Sequence, residues 1–365
     1  MRVQLESKPR GIALIIVMLV IVVFMILAGG FAYSMKVETK LARNSSMDAD
    51  LEWLGRSGVE MAKWILSQPK MGCGADALNQ KWAGGSGDTN LADISLDNNQ
   101  LGKGSFSIKI VDLDRKFNIN TIKPGNTEIL RQAMILIGAD AAETPKVVNA
   151  ILDWIDPDNE TQIGSSDTES AFYMSLNPPY RAKNGPIDDI TELMLINGIS
   201  PAMFHGTGQG GEHSRALPRH LDLGRSGMEE PTYPIGLVEL FTTLSGGQVN
   251  INTASATVLQ IFPEVDENIA NAIVGARAGP SDPPEGVEGR MAFCSVQELA
   301  RVATSSGVPP QIMQMIVAKY GALLTVRSTT FEVNVEAQID SYKRHYVAVV
   351  RRDGNKLQTL FFYWK

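Results

Sequence analysis

The feature that most constrains this chain is a run without a charged residue from Ile12 to Met35, preceded by Arg2, Lys8 and Arg10. A bilayer core takes about 20 apolar residues at helical rise, so Ile12–Phe31 is long enough to span it. Basic residues on its N-terminal side predict a cytoplasmic N-terminus and an exported bulk. A secretory signal peptide starts in the same way, but its apolar stretch is usually ~7–15 residues and ends at a small-residue cleavage site. Here the helical pattern continues, with Val37, Leu41, Leu51, Leu54, Met61 and Ile65 recurring roughly on one face. The spacing predicts one long helix reaching about Leu66, a membrane span over 12–35 and an amphipathic continuation over 36–68.

With 365 residues, the remainder is long enough for a sizeable core and more than one compact unit. Residues 69–116 read as a polar, Gly-rich loop followed by a strand in which Phe106, Ile108 and Ile110 alternate with polar residues. At the C-terminus, 326–365, Phe331, Val333, Val335, Ala337 and Ile339 alternate with polar partners. Tyr346–Val350 and Leu357–Trp364 follow on either side of Asp353-Gly354, a hairpin signal. Three antiparallel strands packed on the amphipathic half of the long helix make a small α+β unit.

Between these parts, 117–325 is patterned as helix and contains an internal repeat. Phe117-Asn118-Ile119-Asn120-Thr121 returns as Val249-Asn250-Ile251-Asn252-Thr253, and Ile190-Thr191-Glu192-Leu193 as Val296-Gln297-Glu298-Leu299. The fold class expected is therefore α+β with a large all-α insertion of two related units, about 117–205 and 249–320, joined by a Gly206–Gly236 linker.

The second motif resembles the opening of helix-hairpin-helix (SAM-like) domains that bind DNA. Those domains use a Gly-x-Gly hairpin to bring backbone N–H groups to phosphate. This chain has Pro263-Glu264-Val265-Asp266-Glu267 there, and Asp140 and Glu143 in the first copy. Carboxylates at both hairpins repel phosphate, and the formal net charge of −7 also argues against nucleic acid. The motif then survives as a packing unit.

Taken in order, these features resemble the pilin-like export proteins, and among them the minor pseudopilin K family of type II secretion. Arg10-Gly11-Ile12-Ala13-Leu14 is similar to the family's leader junction, which implies a 1–11 leader cut by prepilin peptidase between Gly11 and Ile12. Most of the superfamily carries Glu at the fifth mature position, where this chain has Ile16, and pseudopilin K is the member with an apolar residue there. A tip subunit has no neighbouring amine to neutralise such a carboxylate in lipid. The resemblance implies a structural protein of a Gram-negative inner membrane, its bulk in the periplasm, capping a pseudopilus with minor pseudopilins I, J and H. No catalytic role, and no nucleic-acid partner, is implied.

Asp156, Asp158, Asn159 and Glu160, with Asp167 and Glu169 nearby, form the best candidate site. By themselves they read as a solvated acidic turn. Calcium takes six to eight oxygen ligands, and the resemblance implies calcium in this insertion. Cys73 and Cys294 either pair in an oxidising compartment or remain two thiols.

Gly206-Thr207-Gly208-Gln209-Gly210-Gly211 fits a dinucleotide fingerprint, but follows no strand and opens no patterned helix, so it reads as linker. His205, His213 and His220 in the same stretch have no cysteine partners that would suggest a metal site. Two other readings stay open at this point. One is a membrane-anchored DNA receptor of the competence type; the other is a periplasmic enzyme on an uncleaved anchor.

Overall fold

The structure, a computed structural model, describes residues 11–68, 73–85, 91, 93–157, 169–207, 232–278, 292–300, 302, 308–354 and 356–365. Helix α1 (Gly11–Ser67) runs unbroken for 57 residues. From Ile12 to Leu41 its large apolar side chains are exposed, and from Met47 one face is buried through Leu51, Leu54, Val59, Ala62, Ile65 and Leu66. Val37 and Leu41, expected on the docked face, remain exposed because the sheet meets the helix only from Met47 onward.

The sheet is a five-stranded antiparallel layer of order β1-β2-β7-β8-β9. Its strands are β1 (Asn99–Leu101), β2 (Gly104–Asp112), β7 (Thr330–Ile339), β8 (Tyr342–Asp353) and β9 (Lys356–Trp364). The inward series Phe106, Ile108, Ile110 meets Val333, Val335, Ala337 and then Tyr346, Ala348, Val350 under α1. Each such large side chain contributes roughly 2 kcal/mol by leaving water. Two glycines set how close the helix lies. A Cβ at Gly55 would stand 2.5 Å from the Tyr346 ring, and one at Gly58 2.5 Å from Val335 Cγ1.

The insertion leaves after Asp112 and returns before Thr330, and Asp112 pairs with Phe331 across the β2–β7 ladder. The two crossing points are adjacent strand ends, so the sheet pairs as it would around an ordinary hairpin loop. Such a site accepts a domain without disturbing the host fold.

Within the insertion lie β3 (Phe117–Asn118), α2 (Glu128–Ile137), α3 (Thr144–Ile155), α4 (Glu169–Met174) and α5 (Pro201–His205). Then follow α6 (Leu237–Leu240), β4 (Phe241–Thr242), β5 (Val249–Asn250), α7 (Ala256–Leu259), α8 (Glu267–Ala278), α9 (Pro310–Tyr320) and β6 (Leu324–Thr325). The insertion is not purely helical: β3 pairs with β4 and β5 with β6, each in parallel. These contacts bring the start of each motif against a later segment of the insertion. Part of the expected linker is ordered too. Thr207 N–H donates to the Tyr233 carbonyl at 2.7 Å, Tyr233 joins the insertion's core, and Ile235 packs against it.

The Asn-Ile-Asn-Thr copies make matching bonds. Asn118 Oδ1 accepts from Asn120 N–H at 3.0 Å, and Asn250 Oδ1 from Asn252 N–H at 2.9 Å. The second Asn of each copy then clamps a distant peptide through both ends of its amide. Asn120 bonds Ile187 O and N at 2.9 and 2.8 Å; Asn252 bonds Phe293 O and N at 3.0 and 2.8 Å. The echoed Glu192 and Glu298 accept from the backbone N–H of Asp188 and Cys294 at 2.9 and 3.0 Å. These bonds give both copies of the motif a structural role.

Candidate functional site

Among the described residues, the outer surface of α1 and the junction between sheet and insertion are candidate sites. On α1, Trp53 and Trp64 are 70% and 49% exposed. They lie about three turns apart, hence on the same side of the helix, opposite the docked face. The same helix is the one element among the described residues long and apolar enough to cross a membrane, with a mean hydropathy of 3.4 over its most apolar window. It is a candidate membrane anchor whose apolar half is exposed among the described residues.

The junction is a buried polar network. Asp112, at the inward phase of β2, accepts through Oδ2 from Ser328 Oγ and Thr253 Oγ1, both at 2.5 Å. Asn250, the first Asn of the second motif, donates to Ser328 Oγ at 2.7 Å and to the Asp76 carbonyl at 3.2 Å. Asp114 accepts from the N–H groups of Gly246 and Thr329, both at 2.5 Å. Asp76, 0% exposed, binds Arg352 Nη1 at 2.9 Å, and Arg352 Nη2 reaches the Leu66 carbonyl at the end of α1 at 3.1 Å. One guanidinium thus joins the long helix, β8 and the loop after α1, and neighbouring carboxylates carry the joint into the insertion.

Burial, and then the nearby Asp114, push the Asp112 carboxyl up to about 7. Burial also raises Asp114, against hydrogen bonds from Thr329, Gly246 and Thr330. Protein donors satisfy these carboxylates, and among the described residues no group of three His, Cys, Asp or Glu is arranged to hold a metal ion.

Cys73 and Cys294 are joined, Sγ to Sγ 2.12 Å and Cα to Cα 5.5 Å, tying the loop after α1 to the second half of the insertion. Gly11 and Ile12 open α1. Of the candidate calcium ligands, Asp156 caps the end of α3 and Glu169 opens α4, while Asp158, Asn159, Glu160 and Asp167 lie outside the described residues. The two ends of that stretch are brought together by Trp154, Tyr173 and Tyr180, whose rings lie 5.3–6.4 Å apart. His205 ends α5, and His213 and His220 fall outside the described residues.

At each hairpin a carboxylate takes a backbone amide. Asp140 Oδ1 takes the Ala142 N–H and Asp266 Oδ1 the Ile269 N–H, both at 2.8 Å. Glu264 binds Lys319 Nζ at 2.7 Å and also the Tyr320 hydroxyl. Partial burial works to raise the Glu264 carboxyl, and those two partners outweigh it and hold it below its ordinary value.

Sequence reasoning missed the junction, although a signal was there. Asp112 continues the inward series Phe106, Ile108, Ile110, and Arg352 continues Tyr346, Ala348, Val350. A charge at a core-facing phase of a strand must have a buried partner.

A family model described as type II secretion system (T2SS), protein K, matches residues 115–206. A type II secretion system protein K from Pseudomonas aeruginosa is 24% identical over 75% of this chain and 74% of its own length. Its counterpart from Klebsiella pneumoniae is 22% identical over 55% of this chain and 61% of its own length. Among solved structures, one chain of the GspK-GspI-GspJ complex from the enterotoxigenic Escherichia coli type 2 secretion system has the same fold. It is 16% identical, with a TM-score of 0.59 over 89% of this chain and 99% of that one.

Proposed function

We propose that this chain is a member of the type II secretion system protein K family and works as a minor pseudopilin at the tip of a periplasmic pseudopilus, with a structural rather than catalytic role. The observation that carries the reading is α1, one helix whose first half is apolar and uncovered and whose second half is docked on the sheet. The first half partitions between bilayer and a bundle of like helices. The exposed Trp53–Trp64 side offers minor pseudopilins I and J, partners of the solved neighbour's complex, a surface to pack on, with H as a further member. Ile16 leaves the span without a carboxylate, so the subunit needs no neighbouring amine above it, as befits a tip. The insertion, rooted at one end of the sheet, supplies the bulk that only a tip accommodates.

The test is intact-mass analysis of the full chain from a host with prepilin peptidase. The expected product begins at Ile12 with the leader removed. An intact N-terminus, or a cut beyond the apolar run, would sink the reading. The competence-type DNA receptor is disfavoured by the acidic hairpins, where Asp140 and Asp266 each take a backbone amide. We further read the two related insertion units as helix-hairpin-helix-like, SAM-like modules kept for packing.

Calcium is a second part of the proposal. The oxygen donors Asp156, Asp158, Asn159, Glu160, Asp167 and Glu169 suit a hard cation, and the aromatic cluster gathers the ends of the stretch that carries them. Bound calcium would supply a cross-link between those ends. Titrating calcium into chelator-treated protein should raise the melting temperature and magnesium should do so less; no change with calcium refutes the site.

A further inference from the structure

The sheet has two edges of different character. One is β1, three residues long and ending a polar loop. The other is β9, nine residues from Lys356 to Trp364, on which Leu360, Phe361, Tyr363 and Trp364 are all exposed, Trp364 at 67%. Natural edges are protected by shortness, proline or charge, and β1 follows that rule while β9 breaks it.

The backbone of β9 says more. Lys365 N–H donates to the His345 carbonyl at 2.9 Å, and Tyr346 pairs with Trp364. In an antiparallel ladder residues alternate between facing the partner and facing away, so the N–H and C=O of Phe362 and Trp364 point off the sheet. The rings around them are held in place: Phe362 stacks on Tyr346 at 5.4 Å, and Arg56 and Arg344 cover Phe362 and Trp364 at 4.9 and 5.2 Å. Lys356 and Lys365 flank the strip, which contains no acidic residue, in a chain of net charge −7.

We propose that β9 is a docking edge, onto which an extended segment of a neighbouring pseudopilin, apolar in alternate positions and acidic at its ends, adds as a sixth strand. Main-chain groups spaced along an edge are met in register by another strand. A lipid surface would take the aromatic rings but leave those N–H and C=O groups unsatisfied. A second copy would bring lysine-flanked strips together. The inference rests on the pseudopilin reading and adds the place and manner of contact.

The test uses the full chain in phosphatidylethanolamine–phosphatidylglycerol vesicles, with and without minor pseudopilins I and J of the same system. Amide hydrogen exchange at Phe362 and Trp364 should be fast in the chain alone and slow at least tenfold in the complex. Trp364→Pro removes an outward N–H, leaves the β8 ladder intact and suits the extended residue before it. It should weaken the complex at least tenfold, and Trp364→Ala, which keeps the N–H, by less. Thermal melts check that both variants fold, and the exchange measurement needs no variant. A complex that forms with both amides unprotected, or with Trp364→Pro binding as tightly as the parent, overturns the edge and leaves the family role intact. Protection by vesicles alone overturns it in favour of a membrane contact. Failure to bind I and J at all removes the pseudopilin reading, and this inference with it.

Discussion

At the scale of single residues, Asp112 shows how burial and bonding compete. Its carboxyl lies at the end of β2 among Thr253, Ser328, Asn250 and Asp114, and burial, with Asp114 second, pushes it up to about 7. The folded chain therefore keeps a proton that the unfolded chain, with an ordinary carboxylate near pKa 3.8, has released. That contribution to stability is fully present below about pH 4 and is lost as pH rises to about 7. Asp114 is raised in the same direction and adds to the same slope. Urea unfolding of the parent chain should show stability declining from pH 4 to 7, by an amount on the order of a few kcal/mol. Asp112→Asn, which has no charge to bury, should flatten most of that decline. An unchanged slope in the variant would show that Asp112 does not titrate there.

Among the elements, α1 is decided by how close its backbone comes to the sheet. Gly55 and Gly58 face Tyr346 and Val335 with no room for a side chain, whereas nothing lies within 4 Å of a Cβ at Gly29 or Gly30. Glycine inside a helix costs about 1 kcal/mol against alanine, so it persists in the docked half for a steric reason. Gly58→Val should cost about 1–3 kcal/mol or more through overpacking against Val335. Gly29→Ala should cost nothing. Denaturant melts of the full chain in detergent, read by tryptophan fluorescence, compare the two. Equal behaviour would mean that α1 does not sit on the sheet through these glycines.

The whole molecule is held together by links between residues remote in sequence. The Cys73–Cys294 disulfide spans a separation of 221 residues and joins the loop after α1 to the second insertion unit. Close by, Arg352 ties Asp76, Ser328 and Leu66 together. Removing a native disulfide from a small exported domain typically costs roughly 2–5 kcal/mol, a scale that guides expectation for this larger chain. Reductant should lower the melting temperature of the parent, and the Cys73→Ser/Cys294→Ser double variant should start lower and ignore reductant. A parent insensitive to reductant would show that the body and insertion are held by the polar junction alone.

What the sequence by itself determined is what local periodicity records. The length of α1, the strand of Phe106–Ile110, the Asp353-Gly354 hairpin and the paired Asn-Ile-Asn-Thr motifs each follow from spacing within a few residues. The docked part of α1 starts later than spacing implies, because Val37 and Leu41 carry the right spacing but have no sheet beside them. Tertiary structure alone decided the rest. The partners of Asp112 lie 141 and 216 residues away, at Thr253 and Ser328. No periodicity encodes those distances, nor the choice between a disulfide and two thiols, nor the adjacency of Asp112 and Thr330 that lets so large an insertion leave and rejoin the sheet. Local pattern reports which face of an element is buried; only the fold decides what it is buried against.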